Sequence, residues 1–261
     1  MAALNAVSRG DGTPVLFLHG WSVDHRIMLP LDEMVAAHPN PWRRIYVDLP
    51  GFGRSARVND IAHSDDIAAA IDTFIDDEIG DLPMAVIGSS FGAGLARRLM
   101  ARDPQRILGC ALICPTAEPI DVRRLPAPLV IDRDEALLAT LHAADRDDFT
   151  STTVRQDAQM WERFEQCVIP GLRAADPDVV ERIRPSLSVS PEATGPAFDR
   201  PVLMVMGRND TIVGWRDQLD LAEHYPDSTV VVIDRCGHNA HLEHPEIVAV
   251  HLRTWLDALS G

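Results

Sequence analysis

The stretch MAVIGSSFGAGLARRLMAR, Met84–Arg102, decides how the whole chain is read. Met84–Ile87 is continuously apolar, as a strand buried on both faces of a sheet should be. Ser90–Arg102 reads as an amphipathic helix. Between them Gly88-Ser89-Ser90-Phe91-Gly92 has the form G-x-S-x-G. A sharp strand-to-helix turn would hold Ser90 in strained backbone geometry with its hydroxyl exposed. Side chains two positions either side would collide, so glycine belongs at 88 and 92. Ser90 has both glycines in place and Ser89 does not. A serine in a plain structural turn is the competing reading, and the strand before and helix after argue against it.

Further apolar runs lie on both sides: Val15–Leu18, Arg44–Val47, Ile107–Ile113, Val202–Met206 and Thr229–Ile233. Asp65–Ile79, Asp217–His224 and Pro245–Leu259 carry helical patterns between or after them. Strands alternating with helices predict an α/β fold, a mostly parallel central sheet flanked by helices. From Glu118 to Pro191 no run reads as a strand. DEALLATLHAA, TVRQDAQMWERFEQCVI and DPDVVERI are helical and punctuated by prolines, so this region is a helical insertion.

Ligands of open α/β sheets bind outside the carboxyl ends of the strands. His19-Gly20-Trp21-Ser22 follows the first apolar run, Gly207-Arg208-Asn209-Asp210 follows Val202–Met206, and Arg235-Cys236-Gly237-His238 lies just past the last. A serine hydroxyl is a poor nucleophile until a base takes its proton. His238, in a loop beyond the final strand, is the candidate base, with His241 and His244 as close rivals. The spacing His238-x2-His241-x2-His244 also suggests a metal site, but no open-site zinc motif such as HExxH is present, and no metal is expected. The base needs a carboxylate to fix its tautomer. Position favours Asp210; Asp234, at the end of the last strand, is the runner-up. The N–H of Phe91, opening a helix, and that of Trp21 are the candidate oxyanion donors.

Composition narrows the partners. Lys+Arg is 24 and Asp+Glu 39, a formal charge of −15. Such a chain repels phosphate backbones and anionic membrane surfaces, so neither nucleic acid nor membrane is an expected partner. Every basic residue is Arg, which excludes a Schiff-base lysine, a P-loop GK[ST] and a Ser–Lys dyad. The four cysteines form no CxxC, and Cys110 and Cys114 read as small hydrophobes. The N-terminus shows no secretory pattern and no apolar stretch approaches the roughly 20 residues of a bilayer span, so a cytoplasmic location is the expectation.

HGW at His19–Trp21, DLPGFGRS at Asp48–Ser55, GSSFG at Gly88–Gly92, GRND at Gly207–Asp210 and GHNAHLEHPE at Gly237–Glu246 together resemble the α/β-hydrolase superfamily, in its order and across essentially the whole chain outside the insertion. The resemblance implies nucleophile Ser90, acid Asp210, base His238 and oxyanion donors Trp21 and Phe91, with no cofactor. It implies a core of residues 1–117 and 191–261 and a helical cap of 118–190 roofing the pocket. Met160, Trp161, Phe164 and Val168 are candidate pocket residues, although their spacing fits cap–core packing equally well. Two departures stand out. Fourteen residues precede Val15, where the family usually places a β-hairpin, so a full first strand is not expected. Ala93 stands where the elbow commonly carries another glycine.

Ser90 sets aside the aspartate-nucleophile branches, and HGWS does not match lipases with an HGGG loop. The expectation is a serine hydrolase acting on a small or medium carboxylic ester. Thioesterase, lactonase and carbon–carbon bond hydrolase share the same triad. A hydrolase-fold ligand receptor or signalling protein is the reading from another class, since fold and triad do not by themselves settle function. Oligomeric state is not legible.

Overall fold

The computed structural model describes residues 4–55, 61–187 and 198–260. Seven strands form one sheet: β1 (Ala6–Arg9), β2 (Thr13–Leu18), β3 (Trp42–Val47), β4 (Met84–Ser89), β5 (Ile107–Ile113), β6 (Val202–Gly207) and β7 (Ser228–Ile233). Their order is β1-β3-β2-β4-β5-β6-β7. All neighbours pair parallel except β1, which runs antiparallel to β3. Among the described residues one short strand, four residues long, precedes β2. It forms because Ala6–Arg9 pairs residue for residue with Arg44–Val47 at an open edge.

The helices are α1 (Asp32–Ala36), α2 (Ser64–Glu78), α3 (Phe91–Arg102), α4 (Glu135–Thr140), α5 (Ala143–Thr152), α6 (Ala158–Cys167), α7 (Ile169–Ala174), α8 (Pro177–Ile183), α9 (Trp215–Leu221), α10 (Ala240–Glu243) and α11 (Pro245–Ala258). Alternate residues of the central strands point to opposite faces, and both faces are apolar. Leu16, Leu18, Val86, Leu112 and Met204 pack with Ile67, Ile71 and Phe74 of α2 and Leu95 and Leu99 of α3. Phe17, Ile87, Ile113, Leu203 and Val205 pack on the other side with Val35 of α1 and Val248, Leu252 and Trp255 of α11. This two-sided burial explains why the strands read as unbroken hydrophobic runs.

Between β5 and β6 lie α4–α8, the helical segment expected there. Three of its helices start on an aspartate. Asp134 accepts from the amide of Leu137, Asp157 from Met160, and Asp176 from Asp178 and Val179. Such caps satisfy amides that lack intrahelical partners, each worth about 1 kcal/mol. The segment contains an isolated parallel bridge, Ile131 to Arg155, and no strand among its described residues. The expected boundary at residues 190 and 191 lies outside the described residues.

From β2 the chain passes to β3 on one side, then returns to β4 on the other. The carboxyl ends of β2 and β4 therefore flank the point where strand order reverses, the usual place for a ligand crevice in such sheets.

Candidate active site

Ser90 sits between β4 and α3 with φ 53° and ψ −115°. A left-handed φ is costly for a side chain with a Cβ, and local packing imposes it here. A Cβ on Gly88 would lie 2.5 Å from the carbonyl oxygen of Gly92, and one on Gly92 would lie 2.2 Å from that of Leu18. Both glycines are thus sterically required. The Ser90 amide donates to the Ile113 carbonyl at 2.9 Å, which fastens the turn to β5.

His238 lies in the loop after β7. Its Nε2 is 3.0 Å from Ser90 Oγ and its Nδ1 is 2.9 Å from Asp210 Oδ2. Asp210 is fully buried in the loop after β6, and its Oδ1 accepts from the amides of Ile212 and Val213 at 2.8 and 3.1 Å. Burial pushes its carboxyl up, but His238 and the two amides outweigh that and hold it below its ordinary value. The structure thus brings the three residues into one hydrogen-bonded line. Asp234, the rival acid, is exposed.

The rival histidines do not converge on His238. His241 is fully buried with Nε2 2.8 Å from the carbonyl oxygen of Ile27, and burial pushes its imidazole down to about 4. The Nε2 of His244 is 3.1 Å from the carbonyl oxygen of Arg235. Among the described residues, two other groups place ligating atoms within 4.8 Å of one another. Asp24, His25 and Asp48 are one, and Asp24 already pairs with Arg26 and Asp48 with His25, Asn5 and the Arg54 amide. The other adds Cys114 to Asp210 and His238. Cys114 is a rival nucleophile by position, but burial pushes its thiol well above its ordinary value, with Asp210 adding to the effect, so little thiolate forms.

Phe91 is the first residue of α3, where an amide has no acceptor within the helix. Trp21 lies opposite, in the loop after β2, its ring edge-on to that of Phe91 at 5.8 Å. His19 fastens that loop. It is fully buried, with Nδ1 2.7 Å from the Gly20 carbonyl oxygen and Nε2 accepting the Leu49 amide at 2.9 Å. Burial lowers its pKa, which suits this neutral tautomer. The sequence motif placed His19 in the loop without indicating that task.

A cavity of about 160 Å³ opens beside Ser90 and His238. Gly20 and Trp21 line it on the sheet side, with apolar walls from Val23, Ile27, Phe164, Val168, Leu172 and Ile212. Of the four expected pocket residues, Phe164 and Val168 face this cavity, whereas Met160 and Trp161 do not. Residues 164, 168 and 172 continue one helical face across the junction of α6 and α7, where Val168 donates to the Phe164 carbonyl and Leu172 to that of Val168. Met160, one turn earlier, is buried in the core beneath. Trp161 packs on Phe149 and Phe164 instead. Asp148 and Thr152 of α5 also line the cavity. Neither stood out in the sequence, where the stretch between DEALLATLHAA and TVRQDAQMWERFEQCVI carries no motif.

Residues 13–245 match the profile of the α/β-hydrolase fold family, and the chain belongs to that family. It is 25% identical to a pimeloyl-[acyl-carrier protein] methyl ester esterase of Shewanella woodyi, over 98% of each chain. It is 27% identical to a 2-hydroxymuconate semialdehyde hydrolase of Pseudomonas putida, over 93% of this chain and 86% of that protein. Among solved structures, an α/β superfamily hydrolase from Oenococcus oeni PSU-1 superposes with a TM-score of 0.90 at 28% identity, covering 99% of this chain and 97% of that one.

Proposed function

We propose that this α/β hydrolase cleaves a small or medium carboxylic ester through an acyl-enzyme, with Ser90 as nucleophile, His238 as base and acid, and Asp210 as its orienting carboxylate. The observation that carries the reading is the line Ser90 Oγ–His238 Nε2, 3.0 Å, and His238 Nδ1–Asp210 Oδ2, 2.9 Å, on a strained elbow beside a cavity. Methyl ester esterases among the relatives favour the ester over other carbonyl substrates.

Neutral His238 takes the proton of Ser90 as its oxygen attacks the carbonyl carbon. The Trp21 and Phe91 amides receive the developing oxyanion, a contribution of about 3 kcal/mol per donor in comparable sites. Collapse expels the alcohol, which leaves with the proton held on His238 Nε2. Water then enters, gives a proton to His238 and attacks the acyl carbon, and the acid departs as Ser90 regains its proton. Asp210 stays ionised throughout and stabilises the imidazolium. The apolar walls suit a short uncharged acyl or alkyl group. A helical cap of residues 118–190 would supply the Phe164–Leu172 wall, and a small-molecule substrate is the expected partner.

A panel of esters, thioesters, lactones and vinylogous diketones run against wild type and Ser90→Ala tests this. Ser90→Ala should lose about 10⁴–10⁶-fold in kcat on esters and keep its melting temperature. A serine-directed phosphonate should label Ser90. Labelling of Ser89, or undiminished hydrolysis by Ser90→Ala, would remove the assignment.

A further inference from the structure

We propose that Glu243 is a positioning residue for His238: its ionised carboxylate ties the loop that carries the imidazole to the helical segment that walls the cavity. The proposal rests on the catalytic reading of Ser90, His238 and Asp210. Glu243 ends α10 and is 7% exposed. Its Oε1 accepts the amide of Gly237 and its Oε2 accepts that of Val154, both at 2.9 Å. Gly237 immediately precedes His238. Val154 lies two residues beyond Thr152, which lines the cavity and whose carbonyl accepts the His238 amide at 3.1 Å. One buried carboxylate and one carbonyl therefore close the same seam, with a β-sheet loop on one side and the end of α5 on the other. The seam is tight. A Cβ on Gly237 would lie 2.7 Å from the Thr152 oxygen and 2.8 Å from Glu243 Oε1.

An ionised carboxylate has two oxygens that accept and none that donates, which matches two converging amides. A protonated acid or an amide offers one good acceptor and turns a donor toward the other N–H. Burial pushes the Glu243 carboxyl up to about 7, the amides of Val154, Gly237 and Arg155 pull against it, and Asp210 adds to the rise. The other groups facing it are the Cys114 and Cys236 thiols, both held neutral by burial. On its own element His241 and His244 are turned to the carbonyls of Ile27 and Arg235, and the Arg155 side chain is turned to Asp132. The folded chain therefore holds this proton more tightly than the unfolded chain between 4.5 and about 7, and stability falls as pH rises through that window. Ionised Glu243 costs stability at the pH where it completes the seam. That is a poor arrangement for a group kept only for packing, and a reasonable one for a group kept to hold His238.

The test is kcat/KM against pH on a neutral ester, in wild type and Glu243→Gln. Protonated Glu243 should carry the same cost as Gln at 243, so wild-type kcat/KM should fall on the acid side by an extra factor of about ten, beyond the single-proton fall that the base alone gives. Glu243→Gln should lack that extra step and, on the alkaline side, have kcat about tenfold lower with KM within about threefold. Unchanged kcat in Glu243→Gln would overturn the proposal, as would an extra step that persists in that variant whatever its melting temperature. Should Glu243→Gln not fold, the wild-type limb decides, and the absence of the extra step overturns the proposal. Inactive Ser90→Ala beside a wild-type limb without the step leaves the catalytic reading standing and removes Glu243; active Ser90→Ala removes both.

Discussion

The elbow around Ser90 and the helical segment α4–α8 are built on different principles. At the elbow every constraint is local or one strand away. Gly88 and Gly92 have no room for a Cβ, and the Ser90 amide is bonded to β5. The helical segment is five short helices, three started by an aspartate cap and anchored by Leu138, Phe149, Met160 and Phe164 in the core. The first region places the Ser90 hydroxyl; the second shapes what lies beside it. Changes at the strand ends should therefore act on kcat, and changes on the α6–α7 face on KM and chain-length preference.

After Ser90 itself, the largest expected effect is at the proposed acid. Asp210→Asn should lower kcat about 10⁴-fold, because an amide at Oδ2 leaves His238 in the wrong tautomer. Asp234→Asn, at an exposed position, should stay within about twofold of wild type. Equal losses would mean that strand-end position does not set the role. Next comes Gly92→Ala. Its Cβ would lie 2.2 Å from the Leu18 oxygen and 2.5 Å from that of His19, so the loop leading to Trp21 must move. It should cost about 1–3 kcal/mol in a denaturant titration. A displacement near 1 Å should also lower kcat about 10²-fold. Full activity with that destabilisation would break the link drawn between elbow packing and the oxyanion loop. The smallest effect is Val168→Ala, which widens the apolar wall beside Ser90. KM for a short ester should rise about threefold, with kcat unchanged and the optimum acyl chain one or two carbons longer. A change confined to kcat would show that the helical segment takes part in the chemistry.

Much of this was legible in the chain itself. The strands from Val15 to Ile233 announced themselves as apolar runs because both sheet faces are covered. Ser90 was marked by its two glycines, a steric signature that survives in one dimension. Asp210 and His238 could be ranked above Asp234, His241 and His244 only by their places after strands. The fourteen residues before Val15 read as too few for a full first strand, and the four residues of β1 at the sheet edge carry too little pattern to be seen in the sequence. Met160 and Trp161 were grouped with Phe164 and Val168 because one helical turn separates pocket wall from core, and sequence spacing does not say which turn reaches the cavity. Glu243 lies within GHNAHLEHPE, but nothing in that motif says what its side chain touches.

What the sequence by itself determined is whatever depends on neighbours in the chain: strand and helix type, the strained turn at Ser90, the aspartate caps, and the order of serine, acid and histidine. Tertiary structure alone decided which of three nearby histidines meets Ser90, that Asp210 faces His238 from 28 residues away, and that Glu243, bonded to Gly237, also reaches Val154 across 89 positions. The reason is physical. Backbone sterics and periodic burial act over a few residues and leave a trace in composition. A hydrogen bond between distant loops exists only once the sheet has fixed both ends, so neither partner's sequence carries a record of the other.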